Sequence, residues 1–133
     1  MMENTVIQNE EELAHQIIGH AIEIHKNLGP GLNKDNYIEA LNIEFKNENI
    51  EFDSDVEFEI SYRDVVLPHP SVVDFLVADQ LVIQIVASDE IAESEIQRIL
   101  KIIRNNDYRL GLIINFNSTL LKNGIRRVSN HKN

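Results

Sequence analysis

The chain has 133 residues, a net charge of −10 and no cysteine. This length favours a single domain, and a hydrophobic content of 43% is too high for a disordered chain. The absence of cysteine excludes disulfides and thiol chemistry, and the acidic balance disfavours non-specific binding to nucleic-acid phosphates.

The charge is unevenly distributed along the chain. Residues 1–97 hold 21 acids and four bases, for a net −17, whereas residues 98–133 hold eight bases and one acid, for a net +7. The basic third can form a local positive patch, or it can pack beside the acidic part and partly neutralise it. No signal-peptide pattern begins the chain, and no apolar run approaches the roughly 18 residues of a membrane span. We therefore expect a cytoplasmic protein.

Two helices are predicted first. In residues 11–28 apolar side chains recur at helical spacing, and Gly29-Pro30-Gly31 ends the segment. A second helix is predicted over residues 33–47. Apolar and polar residues then alternate over residues 56–62. This pattern predicts a half-exposed strand, which leads into a turn at Arg63-Asp64.

The rest of the chain alternates strands with one helix. Two apolar strands are predicted at 71–78 and 81–87, then a helix at 90–105 and a buried strand at 110–116. The strand–helix–strand connection implies a parallel pair of strands. The tail at 120–128 is expected to add an edge strand. Together these elements predict an α/β fold, a three-layer sandwich with a mixed β-sheet flanked by helices. One domain is expected over 1–133, with loose termini at 1–10 and 129–133.

Two stretches carry a family resemblance. Residues 17–32, IIGHAIEIHKNLGPGL, and residues 37–41, YIEAL, resemble the opening of the GxxExxY family, which belongs to the PD-(D/E)XK nuclease-like superfamily. The resemblance extends over roughly residues 13–128. It implies a restriction-endonuclease-like fold and, where the site is intact, metal-dependent nuclease activity.

The family's site can be carried over one position at a time. The family name describes Gly, two residues, Glu, two residues, Tyr. Here Gly31 and Tyr37 are present, but the glutamate position holds Lys34. The metal-binding aspartate of the family matches Asp74, which is the one site residue that is clearly kept.

The remaining site positions have changed. The family's E-x-K element falls on Gln84-Ile85-Val86, and its helix glutamine aligns best with Arg98, because Gln97 is one residue out of register. Mg²⁺ is held by carboxylates, waters and substrate phosphate, and an amide oxygen is a far weaker ligand. The resemblance therefore implies a degenerate site. No cofactor is expected, and Mg²⁺ would bind through Asp74 only if activity survives.

The substitutions at the site leave two interpretations open. In one, Lys34 forms an ion pair with Asp74 that replaces the metal, and Gln84 hydrogen-bonds the same carboxylate. In the other, Lys34 is a relocated catalytic lysine, and Asp35 or Glu39 supplies a second carboxylate.

Two histidines lie in the helix that resembles the family's opening. His20 and His25 are five residues apart, so they do not share a helix face as a metal-binding pair would. For His25 we expect a packing or hydrogen-bonding role.

Three functions fit these observations. The first is a catalytically inactive nuclease-fold protein that binds another protein or itself, for which an exposed edge strand at 56–62 or 120–128 is suited. The second is a Mg²⁺-dependent nuclease with a rearranged site. The third is a nucleic-acid binder without cleavage. Its phosphate contacts would come from Arg98, Lys101, Arg104, Arg126 and Arg127.

Overall fold

A computed structural model describes residues 9–130 of the chain. In chain order its elements are α1 (Glu10–Leu28), α2 (Lys34–Asn47), β1 (Phe52–Phe58), β2 (Ser61–Tyr62), β3 (Val65–Val66), β4 (Ser71–Val77), β5 (Leu81–Val86), α3 (Glu93–Asn105), β6 (Leu110–Asn115), a 3₁₀ helix (Leu121–Gly124) and β7 (Ile125–Ser129). Most of the expected loose termini, residues 1–8 and 131–133, lie outside the described residues. Asn9 caps α1, and Ser129 ends β7.

Five strands form one mixed sheet in the order β1-β4-β5-β6-β7. β5 and β6 are parallel and are joined by α3, as the strand–helix–strand pattern predicted. The other three neighbouring pairs are antiparallel. β2 and β3 form a separate two-stranded hairpin. β1 and β7 are therefore the two edges of the main sheet.

Helices cover both faces of this sheet. α1 and α2 pack on one face in a core that includes Ile17, Tyr37 and Phe75, which we call the α1/α2-side core. α3 packs on the other face in a second core that includes Ile99 and Val82, which we call the α3-side core. The three-layer α/β sandwich is confirmed. Within residues 9–130, no helix is long and apolar enough to cross a bilayer.

The strand predicted at 56–62 is wrong in its bounds. β1 begins at Phe52, whose ring packs 5.2 Å from Phe45 and 5.8 Å from Phe75. It ends at Phe58, because the chain then leaves the sheet to form the β2–β3 hairpin. The predicted turn lies at the tip of this hairpin, where Arg63 and Asp64 have φ of 50° and 65°. Positive φ at both central residues is typical of a tight hairpin turn.

Two further elements start later than predicted. The helix expected from residue 90 begins at Glu93, because the preceding loop is held by Asn115, whose side chain bonds both the N–H and the carbonyl of Ser88. The edge strand expected from residue 120 begins at Ile125, after the 3₁₀ helix.

Candidate functional site

Asp74 lies where the regular pairing of β4 is interrupted. The β1–β4 pairing passes from Ser54 opposite Phe75 to Val56 opposite Val73, and so skips Asp74. The β4–β5 pairing ends at Phe75 opposite Ile83. The side chain of Asp74 therefore emerges where β4 and β5 separate.

Side chains replace the missing main-chain bonds at this point. The N–H of Ile85 donates to Oδ2 of Asp74 at 2.8 Å, and the N–H of Asp74 donates to Oε1 of Gln84 at 3.3 Å. The prediction placed Gln84 against the Asp74 carboxylate, whereas the hydrogen bond in the structure joins the Gln84 oxygen to the Asp74 backbone N–H. Gln84 is only 5% exposed. It therefore satisfies a backbone donor that strand separation would leave unpaired.

Lys34 completes the surroundings of Asp74. It is the first residue of α2, after the N-cap Asn33, and its Nζ lies 3.1 Å from Oδ2 of Asp74. The predicted ion pair is therefore present. The Asp74 side chain is 12% exposed and the Lys34 side chain is 37% exposed. A pair with one half-exposed partner contributes about 1 kcal/mol or less, although it offsets the cost of burying the carboxylate.

Arg98 joins α3 to the start of β4. Its Nε and Nη2 donate to the two carboxylate oxygens of Glu95 at 2.8 and 3.2 Å. Its Nη1 donates to Ser71 Oγ and to the Val72 carbonyl, both at 2.9 Å. The guanidinium is thus held by one carboxylate and by two groups of β4, which gives it a structural role.

Glu95 is a site residue that the sequence analysis missed. The hydrogen bond from Arg98 lowers the pKa of its carboxyl, burial opposes that shift, and the charges of Arg98 and then Lys34 lower the pKa further. Lys34 thus forms an ion pair with Asp74 and lowers the pKa of Glu95. The available signal was the spacing of Glu95 and Arg98, because oppositely charged residues three apart on a helix are neighbours.

Most of the side-chain oxygens around Asp74 already have a cation or an N–H donor as partner. Oδ2 of Asp74 contacts the Lys34 ammonium and accepts the Ile85 N–H. Both carboxylate oxygens of Glu95 accept hydrogen bonds from Arg98. Oε1 of Gln84 accepts a backbone N–H. Val86 packs against the α3-side core. Within residues 9–130, no group of three or more His, Asp or Glu side chains is placed to hold a metal ion. A hard cation needs free oxygen ligands, and a cation or an N–H donor already contacts each of these four oxygens.

Asp35 and Glu39 were the alternative source of a second carboxylate. Both are exposed, while Tyr37 between them is buried in the α1/α2-side core. Besides its ion pair with Asp74, Lys34 acts on Glu95, on a different helix, where its charge lowers the pKa of the carboxyl.

The Gly and Tyr positions of the GxxExxY pattern shape the turn before α2. The Tyr37 hydroxyl donates to the Gly29 carbonyl at 2.6 Å and accepts the Leu32 N–H at 3.1 Å. Its ring stacks on Phe116 at 4.5 Å. Gly31 has φ of 96°, a conformation that disfavours any side chain. These contacts fix the start of α2 and so place Lys34.

The two histidines have structural partners. His25 Nε2 lies 2.8 Å from the Ser118 carbonyl, so its predicted hydrogen-bonding role is confirmed. His20 Nδ1 lies 3.0 Å from Glu44 Oε1 and joins α1 to α2.

The five basic residues proposed to contact phosphate lie on α3 and β7. Arg98 is held as described above, and Arg127 pairs with Glu11 on α1. Lys101 and Arg104 are exposed on α3, and Arg126 is exposed on β7. Nucleic-acid binding through them stays a prediction.

Comparison with known proteins identifies one family. A model of the PD-(D/E)XK nuclease superfamily matches residues 11–128, which include every residue of the site described above. No curated protein and no solved structure matches the chain.

Proposed function

The chain belongs to the PD-(D/E)XK nuclease superfamily, and from that premise we propose that it is a catalytically inactive member that acts by binding. We assign it within the superfamily to the GxxExxY proteins, on the segment that ends in Gly31 and Tyr37. Its partner is another protein or a second copy of itself. The absence of cysteine is consistent with the reducing cytoplasm as its location.

One observation carries the proposal. The ammonium of Lys34 lies 3.1 Å from the carboxylate of Asp74, the residue that matches the family's metal-binding aspartate. Phosphodiester hydrolysis in this superfamily needs a cation that activates water and offsets charge on the phosphate. An ammonium neutralises Asp74 but has no open coordination position for water or substrate. The site is thereby stable without metal.

The neighbouring positions support the same conclusion. Gln84 holds the Asp74 backbone, and Val86 is an aliphatic residue packed against a core. Val86 cannot orient a water molecule for attack, and the Gln84 oxygen already accepts the Asp74 N–H. The arrangement maintains the separation of β4 and β5 at the positions where the family places its second acid and its lysine.

A metal titration with a cleavage assay tests the proposal. Mg²⁺ and Mn²⁺ are titrated by calorimetry into the wild type and Asp74→Ala, and both are incubated with single- and double-stranded DNA and RNA. We expect no saturable binding and no metal-dependent cleavage by either protein. Metal-dependent cleavage that Asp74→Ala abolishes would overturn the proposal.

A rearranged nuclease is the second candidate, and Glu95 favours it. Lys34 lies against Asp74, and its charge also lowers the pKa of Glu95 after the larger effect of Arg98, so one lysine interacts electrostatically with two carboxylates. In this alternative Arg98 releases Glu95 when Mg²⁺ and substrate bind. The metal titration and cleavage assay distinguishes the two candidates. If the rearranged nuclease is correct, Glu95→Gln and Asp74→Ala should each abolish cleavage.

A nucleic-acid binder without cleavage is the third candidate. The exposed Lys101, Arg104 and Arg126 support it. Binding to labelled DNA and RNA at increasing salt tests it, because a phosphate binder weakens steeply as salt rises. Absence of binding at low salt excludes this candidate.

A further inference from the structure

The two edges of the five-stranded sheet carry opposite charge. Along β1 and its immediate flanks every second residue is an exposed carboxylate: Glu51, Asp53, Asp55, Glu57 and Glu59. At the other edge β7 exposes Arg126 and Arg127, and residues 108–133 contain no acid. Within residues 9–130, no further strand pairs with the outer side of β1 or β7.

The charges disfavour pairing of β1 with a second β1 and of β7 with a second β7. Like charges directly opposite each other on neighbouring strands are destabilising. Two β1 edges would bring carboxylates together, and two β7 edges would bring arginines together. Pairing between β1 and β7 brings opposite charges together, so it is the combination that the charges favour.

The strand directions also suit this pairing. β1 is antiparallel to β4, β4 to β5, and β6 to β7, while β5 and β6 are parallel. β7 therefore runs opposite to β1. A second molecule in the same orientation would place its β7 antiparallel to β1 and continue the sheet.

Side-chain faces limit the registers that this pairing can adopt. Val56 and Phe58 pack on the α3-side core, so Glu57 between them points to the α1/α2 face. Val128 also packs on the α3-side core, whereas Arg127 lies beside α1. Opposite residues in an antiparallel pair point to the same face.

We propose that a second copy of this chain docks its β7 beside β1, head to tail, with Arg127 opposite Glu57 and Val128 opposite Val56. The proposal rests on the proposed function and names the partner as the chain itself. Asp55, whose φ is 51°, interrupts the extended backbone of β1, so pairing is confined to residues 56–59 and remains dependent on charge. The Arg127–Glu11 pair within one molecule is exposed and exchanges readily.

Charge reversal and charge exchange test this pairing. Sedimentation velocity of the wild type over a range of concentrations should show association at low salt that weakens as salt rises. Glu57→Arg and Arg127→Glu should each lower the association constant about fivefold or more, because each places like charges opposite one another. The double variant Glu57→Arg/Arg127→Glu should restore association, since it exchanges the two charges. An equimolar mixture of the single variants should also associate.

Matched controls separate this pairing from a general charge effect. Glu39→Arg and Lys101→Glu make the same charge changes at exposed positions of α2 and α3, and both should associate like the wild type. Circular dichroism checks that every variant is folded. A wild type that stays monomeric at all concentrations, or a double variant that does not recover, overturns the pairing.

Failure of the β1–β7 pairing can be distinguished from failure of the proposed function. Metal titration and cleavage are measured on the same samples. A monomeric chain without metal binding overturns this pairing alone. Metal-dependent cleavage that Asp74→Ala abolishes overturns the proposed function and leaves the sedimentation result as it is.

Discussion

The Nζ of Lys34 lies 3.1 Å from Oδ2 of Asp74, and the same oxygen accepts the N–H of Ile85. One carboxylate oxygen thus connects the start of α2 with the point where β4 and β5 separate. The cation belongs to the protein chain itself, so the neutralisation of Asp74 is part of folding and requires no ligand.

Lys34 and Asp74 should be energetically coupled. In a double-mutant cycle of Lys34→Met and Asp74→Asn, we expect a coupling of about 0.5–1 kcal/mol in the free energy of unfolding. Asn at position 74 keeps an oxygen for the Ile85 N–H, so the cycle isolates the charge interaction. Urea unfolding measures all four proteins. The exposed Glu11–Arg127 pair serves as the control, with coupling near zero, and equal coupling in both pairs would contradict the prediction.

Restoring the family's residues should restore dependence on a metal. The triple variant Lys34→Glu/Gln84→Glu/Val86→Lys places three carboxylates together, so without a cation it should be less stable than the wild type. At ten times Kd, Mg²⁺ should stabilise it by about 1.4 kcal/mol and raise its Tm by roughly 5 °C.

Calorimetric melting with and without Mg²⁺ checks this expectation. Two controls should show no shift: the wild type, and the triple variant with Asp74→Ala added. A similar Mg²⁺ response in the wild type would mean that its site already binds metal.

The Tyr37 hydroxyl should contribute to stability through the turn before α2. Tyr37→Phe removes its bonds to the Gly29 carbonyl and the Leu32 N–H but retains the ring that stacks on Phe116. We expect a loss of about 1–2 kcal/mol in the free energy of unfolding, measured in urea. Tyr108→Phe is the control, because the Tyr108 hydroxyl bonds the exposed Asp79, and its loss should cost less. Equal losses in the two variants would contradict a larger contribution of the Tyr37 hydroxyl.

Stability should depend on pH through Glu95. Its pKa is lowered in the folded protein, first by the hydrogen bond from Arg98, from an ordinary value of 4.5. A lowered pKa means that the stabilisation is fully present above the ordinary value and is lost as pH falls through the folded value. Glu95→Gln should therefore be less stable than the wild type at pH 7, and the difference should shrink below pH 4.5.

Urea unfolding at several pH values measures this difference. Glu93→Gln, at an exposed position on the same helix, is the control and should change stability little at any pH. A difference for Glu95→Gln that persists unchanged at low pH would exclude the ionised pair with Arg98 as its cause.

Local pattern was sufficient for most of the fold. Helical spacing in residues 11–28 predicted α1, and continuous apolar runs predicted β4, β5 and β6, because central strands are buried on both faces. Sequence patterns fail to predict the bounds of an element where tertiary contacts determine them. Phe52 lies among polar residues, outside the alternating pattern that predicted a strand from residue 56, yet it begins β1 because its ring packs against Phe45 and Phe75.

The candidate site divides in the same way. Residue order alone shows which residue types are present: one clearly kept acid at Asp74, an amide at Gln84 and a lysine at position 34. Which of their atoms meet follows from the packing of the strands and helices. The separation of β4 and β5 frees a backbone N–H that takes the Gln84 oxygen, and α3 brings Glu95 towards Lys34. Hydrogen bonds and charge interactions depend on distances of a few ångströms between elements far apart in the chain, and residue order does not specify those distances.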